Sequence, residues 1–368
     1  MTAALSAWEA SGLARLTGAP GRNARPVGDP AARLDGLLRT VEAAAARLGH
    51  TLRLDLGLFT ERAAELGLHG RGRISCNGTA RMLRTGDGWT AVNLARPDDL
   101  DLIEAWIGRP PGPDPWRTLA GYAARMGAEQ LVADGRLLGL PVSVVRRPGE
   151  VAPAPEPAPL PVRPMAPIRT LRVVDLSALW AGPLCGRLFG DIGAEVIKVE
   201  SPRRPDAARV GSPRLFERLH RGQQRLALDF DAPDAHQALV GLIERADVVI
   251  EASRPRALEQ RGVFARELVA RRPGLTWISL TAYGRSGEAA NWVGFGDDVA
   301  ASAGLVALDA AGDPVFLGDA IADPISGLTA AREGMRAVAG GGGLVEVSMH
   351  AASAAIADAA PFQTRAAA

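Results

Sequence analysis

The sequence predicts an α/β fold: an open, mostly parallel sheet with helices on both faces, joined to a small α+β domain. Three observations carry this expectation. Residues 170–368 alternate short β-branched apolar runs with helical patterns, as βαβ units do. Residues 70–145 read instead as strand, tight turn and strand, followed by amphipathic helices. The stretch "RRPGEVAPAPEPAPLPVRPMAPIRT" (146–170) lies between them, and its prolines remove donors and favour extended polyproline geometry. Four units are expected: 1–69, 70–145, a linker at 146–169, and 170–368.

The first unit reads as a copy of the chain's end. Residues 8–64 align with 298–357 in the order helix, loop, helix, strand, helix. Gly12 meets Gly304, Gly36 meets Gly327, and "LRLDL" meets "LVEVS" at an offset that holds near 291 to 292. Asp323 faces Ala31 or Ala32, so the first copy lacks that acid. The second unit opens with "RISCNGTARMLRTGDGWTAVNLA", where Asp87 and Gly88 signal a turn. "PDDLDLIEAWIG" and "PWRTLAGYAARMG" are amphipathic helices, and "GLPVSVV" closes the unit as a strand.

In the last unit, "LRVVDLS" (171–177) is a buried parallel strand. A helix at 182–193 ends at Gly193. Strands follow at 194–200, 247–253 and 275–284, with helices at 236–246, 256–263 and 265–273. Ligands of such sheets sit beyond the carboxyl ends of the strands. "GGGG" (340–343) lies between a helix and a strand and reads as a turn.

Composition narrows function mostly by exclusion. The chain has 368 residues, 47% hydrophobic and 23% charged, with net charge +1. That balance gives no footprint for nucleic acid or an acidic membrane surface. The two cysteines, Cys76 and Cys185, form no metal-spaced cluster and suggest a reducing compartment. No basic segment followed by an apolar core opens the chain, and no apolar run is long enough for a span, so a cytoplasmic location is expected.

Three places could carry chemistry. The loop "ALWAGP" (178–183) joins a strand to a helix start, where free N–H groups can face an anion. "KVESPRRPDAAR" puts Lys198, Arg203, Arg204 and Arg209 beyond a strand end, and "HRGQQR" adds Arg221 and Arg225. Such clusters suit a phosphate-bearing ligand or, more blandly, a solvated loop. In "IADPISGLTAA", Asp323 reads as a helix N-cap with Pro324 at N1. The same acid, unpaired near a cleft, could attack a thioester.

"LRVVDLSALWAGPLCGRLFGDIGAEVIKVESP" resembles the opening of the class III CoA-transferases, the CaiB/BaiF family of carnitine and bile-acid CoA-transferases. That family also contains α-methylacyl-CoA racemases. The likeness continues through "RGQQRLALDFDAP", "ADVVIEASRPRALEQRGV", "PGLTWISLTAYGRSG", "GFGDDVAASAGL" and "IADPISGLTAA". The resemblance implies a Rossmann-like large domain over 170–368, with the small domain here placed ahead of it. It implies acyl-CoA and a carboxylic acid acceptor as substrates, with no permanently bound cofactor and no metal. It assigns Asp323 the catalytic nucleophile's place and Asp297 that of a second active-site acid. Leu179, Trp180, Ala181 and Gly182 would contact CoA. Lys198, Arg203, Arg204, Arg225 and Leu228 would complete the CoA side, because Ser201, Ser253 and Gln260 stand where some members carry basic or aromatic residues. It further implies an interlocked homodimer, or an intrachain version built from the repeated half. A racemase would need a histidine where Phe295 stands. The two alternatives are a racemase-like enzyme and a catalytically degenerate CoA-binding subunit.

Overall fold

The computed structural model describes residues 7–21, 24–152 and 170–357. Most of the expected linker, 153–169, lies outside the described residues.

The N-terminal segment contributes a short strand, β1 (Arg25–Pro26), and two helices, α1 (Pro30–Arg47) and α2 (Glu61–Leu66). α1 starts where Asp29 accepts the Ala32 N–H at 3.0 Å and Pro30 occupies the first turn. Ala31, Leu34, Leu38, Val41 and Ala45 bury one face at helical spacing. The strand expected at "LRLDL" does not form. Glu42 takes the Leu54 N–H at 2.8 Å, and Asp55 takes the Gly57 N–H and caps a 3₁₀ turn (Leu56–Phe59). Donors used locally cannot join a ladder.

The small unit is an antiparallel sheet of β2 (Ala80–Arg84), β3 (Trp89–Asn93) and β4 (Val142–Val144). The Asp87–Gly88 turn sets the register, with Arg84 opposite Trp89. Helices pack Ile103, Trp106, Leu119 and Leu131 against Val92 and Val142. One of these helices, Ala128–Leu137, is additional to those expected from the sequence.

The large unit begins with β5 (Arg172–Asp175) and α3 (Ala181–Asp191). Then come β6 (Glu195–Glu200), β7 (Gln224–Ala227), β8 (Val248–Glu251), β9 (Thr276–Thr281) and α4 (Gly296–Ser302). A hairpin of β10 (Val306–Leu308) and β11 (Pro314–Phe316) leads to α5 (Ala322–Gly340), β12 (Gly343–Ser348) and α6 (Met349–Ala357). The hairpin stands where a loop was expected, and β1 pairs antiparallel with β10. The large sheet runs β12-β9-β8-β5-β6-β7, every pair parallel. From β5 the chain first winds through β6 to β7, then returns to β8 on the other side. This reversal makes the β5–β8 boundary the topological switch point, where such sheets open a crevice. The glycine run at 340–343 ends α5 and enters β12, with Gly341 left-handed at φ 94°.

α5 lies between α3 and α1. One buried cluster joins Leu34, Leu38 and Phe59 of the N-terminal segment to Leu184, Phe189, Ile325, Leu328 and Met335. A smaller cluster joins Ala80, Met82 and Ala91 to Ala301, Val306 and Phe316. The residues before and after the proline-rich stretch therefore share their apolar cores. Among the described residues no helix is long and apolar enough to cross a membrane.

Candidate active site

The loop 176–180 leaves β5 at the switch point and turns into α3. Its backbone is fixed from below. Asp175 accepts the Ser177 N–H at 2.9 Å, and Asp206 accepts the Leu179 N–H at 3.0 Å. Leu179 is held at φ +70°, a left-handed conformation uncommon for a residue with a side chain. Trp180 is buried and opens α3, Ala181 is its first residue, and Gly182 packs its Cα against Ser177.

α5, which carries Asp323 in its first turn, packs against α3. The close approach needs Gly327, one turn on: a Cβ there would lie 2.5 Å from the Ala181 carbonyl oxygen. Asp323 is not the N-cap expected from the sequence. Ile321 occupies that position without a side-chain cap, and Asp323 sits in the first turn. The α1 segment differs, since there the acid, Asp29, is spent on capping. The Asp323 carboxylate is half-buried and forms no ion pair among the described residues. Burial pushes its pKa up to about 7. The Arg62 guanidinium and the Gly296 N–H act against that rise, and Asp319 adds to it. The helix start also favours the charged form. Gly296 is the floor of this contact, because a Cβ there would sit 2.5 Å from Asp323 Oδ2 and 2.4 Å from the Ala320 carbonyl oxygen.

Three further acids surround it. Asp297, in the first turn of α4, is buried and accepts the Ala320 N–H at 2.9 Å. Burial, then the nearby Asp319 charge, raises it to about 8. Asp298 is buried too, and burial raises it to about 7 although it accepts from Asn93 Nδ2 and the Phe295 N–H, each at 3.0 Å. Asp319 is fully buried and held by Arg62 of α2 through two hydrogen bonds, Nε–Oδ2 at 2.8 Å and Nη2–Oδ1 at 2.5 Å. The same guanidinium lies 5.3 Å from the Trp180 ring centroid. The arrangement thus sets the half-buried Asp323 among buried acids and a single arginine. Such a group, once ionised, is a poorly solvated nucleophile.

The other expected residues lie elsewhere. Lys198 is not beyond a strand end: it is inside β6, fully buried, and pairs with Asp206 at 3.3 Å and the Ser177 carbonyl oxygen. It braces the loop below Leu179. Arg203 is exposed and pairs with Asp229 at 2.9 Å, and Arg204 sits on the same exposed turn after β6. Arg225, on β7, pairs with Glu217 at 2.7 Å. Leu228 is half-buried against the core beside β6. A surface groove of about 690 Å³, lined by residues including Pro213, Arg214, Arg218, Arg221 and Arg225, excludes Asp323. Arg218 and Arg225 there are paired with glutamates. Among the described residues no cluster of His, Cys, Asp and Glu is arranged to hold a metal ion. No local pattern marks Arg62, which stands 257 positions before Asp319. Asp319 had a faint signal, one helical turn ahead of Asp323.

The CoA-transferase family III model matches residues 168–368. The succinyl-CoA–D-citramalate CoA-transferase of Chloroflexus aurantiacus is 34% identical over 178 residues, 46% of this chain and 44% of its own. A probable fatty acyl-CoA transferase of Mycobacterium tuberculosis is 38% identical over 150 residues, 39% and 38% of the two chains. A CaiB/BaiF family protein from Brucella suis, known as a crystal structure, is 29% identical with a TM-score of 0.45, covering 50% of this chain and 53% of its own. The chain spans less than half the length of the curated relatives described here. The matched region contains the large sheet, the loop 176–182 and all four acids. The chain belongs to the CoA-transferase family III.

Proposed function

We propose that the protein transfers CoA from an acyl-CoA to a free carboxylic acid, with Asp323 as the nucleophile. One observation carries the reading: Asp323 is the acid of this cluster that keeps contact with solvent while free of an ion pair. The names of its relatives support the reaction class, since one is a succinyl-CoA–D-citramalate CoA-transferase and another a succinate–glutarate CoA-transferase.

The chemistry balances in four steps. An Asp323 oxygen attacks the acyl carbon and CoA thiolate leaves, giving a mixed anhydride. The thiolate then attacks the Asp323 carbonyl carbon, releasing the donor acid and forming an aspartyl-CoA thioester. The acceptor carboxylate attacks that thioester, expelling the thiolate and forming a second anhydride. The thiolate attacks the acceptor's acyl carbon, and Asp323 is regenerated. Covalent passage divides one difficult exchange into easier ones. Asp297, largely protonated near neutral pH, is a candidate proton donor beside the reacting carboxylate. Leu179, Trp180, Ala181 and Gly182 would flank the acyl-CoA, as the resemblance implies.

A racemase reading finds no support at position 295, where Phe stands at the N-cap of α4. Both cysteines are free and buried, which suits the cytoplasm. The packing of α1 on α5 within one chain supports the intrachain form of the interlocked arrangement, and light scattering would report whether the chain also dimerises.

The test is a mass-spectrometric screen of acyl-CoA donors against pooled acids, with wild type and Asp323→Asn. Exchange in the wild type, a hydroxylamine-sensitive adduct on Asp323, and a loss of about 10³-fold or more in the variant are expected. Undiminished exchange in Asp323→Asn would end the proposal. Acyl-CoA binding without exchange would instead mark a degenerate subunit.

A further inference from the structure

We propose that Arg62, from the N-terminal segment outside the family match, is a positioning residue of this site. It ties the loop that aims Asp323 to the loop that opens α3. The inference rests on Asp323 being the nucleophile.

Residues 317–321 turn β11 into α5. Ala320 in this turn is left-handed at φ +45°, a costly conformation that must be held from outside. The holds come largely from the N-terminal 76 residues. Thr17 Oγ1 accepts the Gly318 N–H at 3.2 Å, and Cys76 Sγ donates to the Gly318 carbonyl oxygen at 3.4 Å. The Gly72 carbonyl oxygen accepts the Phe316 N–H at 3.0 Å. Asp297 accepts the Ala320 N–H from α4, and Arg62 adds a two-point fork on the Asp319 carboxylate while its Cζ lies 5.3 Å from the Trp180 ring centroid. A planar guanidinium can do both at once, and an ammonium cannot. Because Asp319 lies in the turn that leads into α5, four residues before Asp323, the fork also helps to set the direction in which α5 starts.

The charged groups facing Asp323 are Arg62 from α2, Asp319 from the preceding loop and Asp298 from α4, while Asp297 faces Arg62 and Asp319. Removing Arg62 removes the single cation among them. The protonated form of Asp323 then gains, so the acid limb of the rate profile must move to higher pH.

The test uses the full chain and the donor–acid pair found active in the screen. Its variants are Arg62→Gln, Arg62→Lys, Asp323→Asn and the double Arg62→Met/Asp319→Asn, which removes both charges of the fork together. Arg62→Gln is expected to lower kcat by about 10²-fold with little change in KM for the acyl-CoA, and to shift the acid limb upward. Arg62→Lys should recover part of kcat. The double variant should fold and return the limb towards wild type, yet stay slow, because the two loops are no longer tied. If Arg62→Gln keeps wild-type kcat while Asp323→Asn is inactive, the inference falls and the nucleophile stands. A double variant with wild-type kcat also overturns it, by reducing Arg62 to a counter-ion, and decides the matter if Arg62→Gln does not fold. Activity in Asp323→Asn would remove the nucleophile first.

Discussion

At the scale of single residues, the site is a problem of ionisation. Asp297, Asp298 and Asp323 are all held above the ordinary carboxylate range, mainly by burial. The sign for stability follows. A carboxyl whose folded pKa is raised favours the folded state most while protonated, so its contribution is full below its unfolded value. It is lost as pH rises through the folded value. For Asp297 that window runs from about 4 to about 8. The melting temperature should therefore fall across this range, and Asp297→Asn should flatten the fall, because its amide oxygen can still accept the Ala320 N–H. A calorimetric series from pH 4 to 8 checks this, and equal slopes would refute it. Asp323 also illustrates how much chemistry a sequence exposes. A lone acid ahead of a proline is visible, and capping is a sound first account of it. Its true place in the first turn depends on where the Ala320 turn bends, which no local pattern encodes.

At the scale of elements, the parallel strands were legible because both faces are buried and the runs are short, apolar and β-branched. β7 escaped notice because Gln224, Arg225, Leu226 and Ala227 are all exposed, so no burial pattern marks it. The strand expected at 52–56 failed for the opposite reason: Leu52 and Leu54 are buried, but the Leu54 N–H goes to Glu42 and Asp55 caps the turn that follows. The helix pair that aims the acid was half legible. The matched glycines read as a repeat, yet the reason for Gly327 is contact with Ala181. Gly327→Ala should push α5 off α3, since the clash is with backbone and with Leu184 Cβ at 3.0 Å. Overpacking of this kind costs about 1–3 kcal/mol. Denaturant unfolding should show that loss, together with a lower kcat, and an unchanged midpoint would contradict the packing described. Gly36→Ala, at the matching place in α1, is the comparison.

At the scale of the whole molecule, the two apolar cores draw on residues from both sides of the proline-rich stretch. Burying a leucine is worth about 1.5–3 kcal/mol, and Leu34, Leu38 and Leu58 all lie in the larger of these cores. The region 170–368 should therefore not fold cooperatively alone. Co-expression with 1–152 should restore a stable pair that co-purifies and melts in one transition. Independent melting of the two fragments would mean that the shared cores contribute little. This dependence was hidden in the sequence, where a run of prolines looks like a boundary and long-range burial leaves no trace. It also has a consequence in time. Arg62 leaves the ribosome 257 residues before Asp319, a wait of roughly 13–50 s at about 5–20 residues per second. Until then the apolar face of α1 lacks its cover from α5. Nascent chains stalled before α5 should be cut readily within their first 70 residues and should recruit a chaperone, while the finished chain resists. α5 is made late and packs on α1, so a chain interrupted before it is unfinished at its beginning.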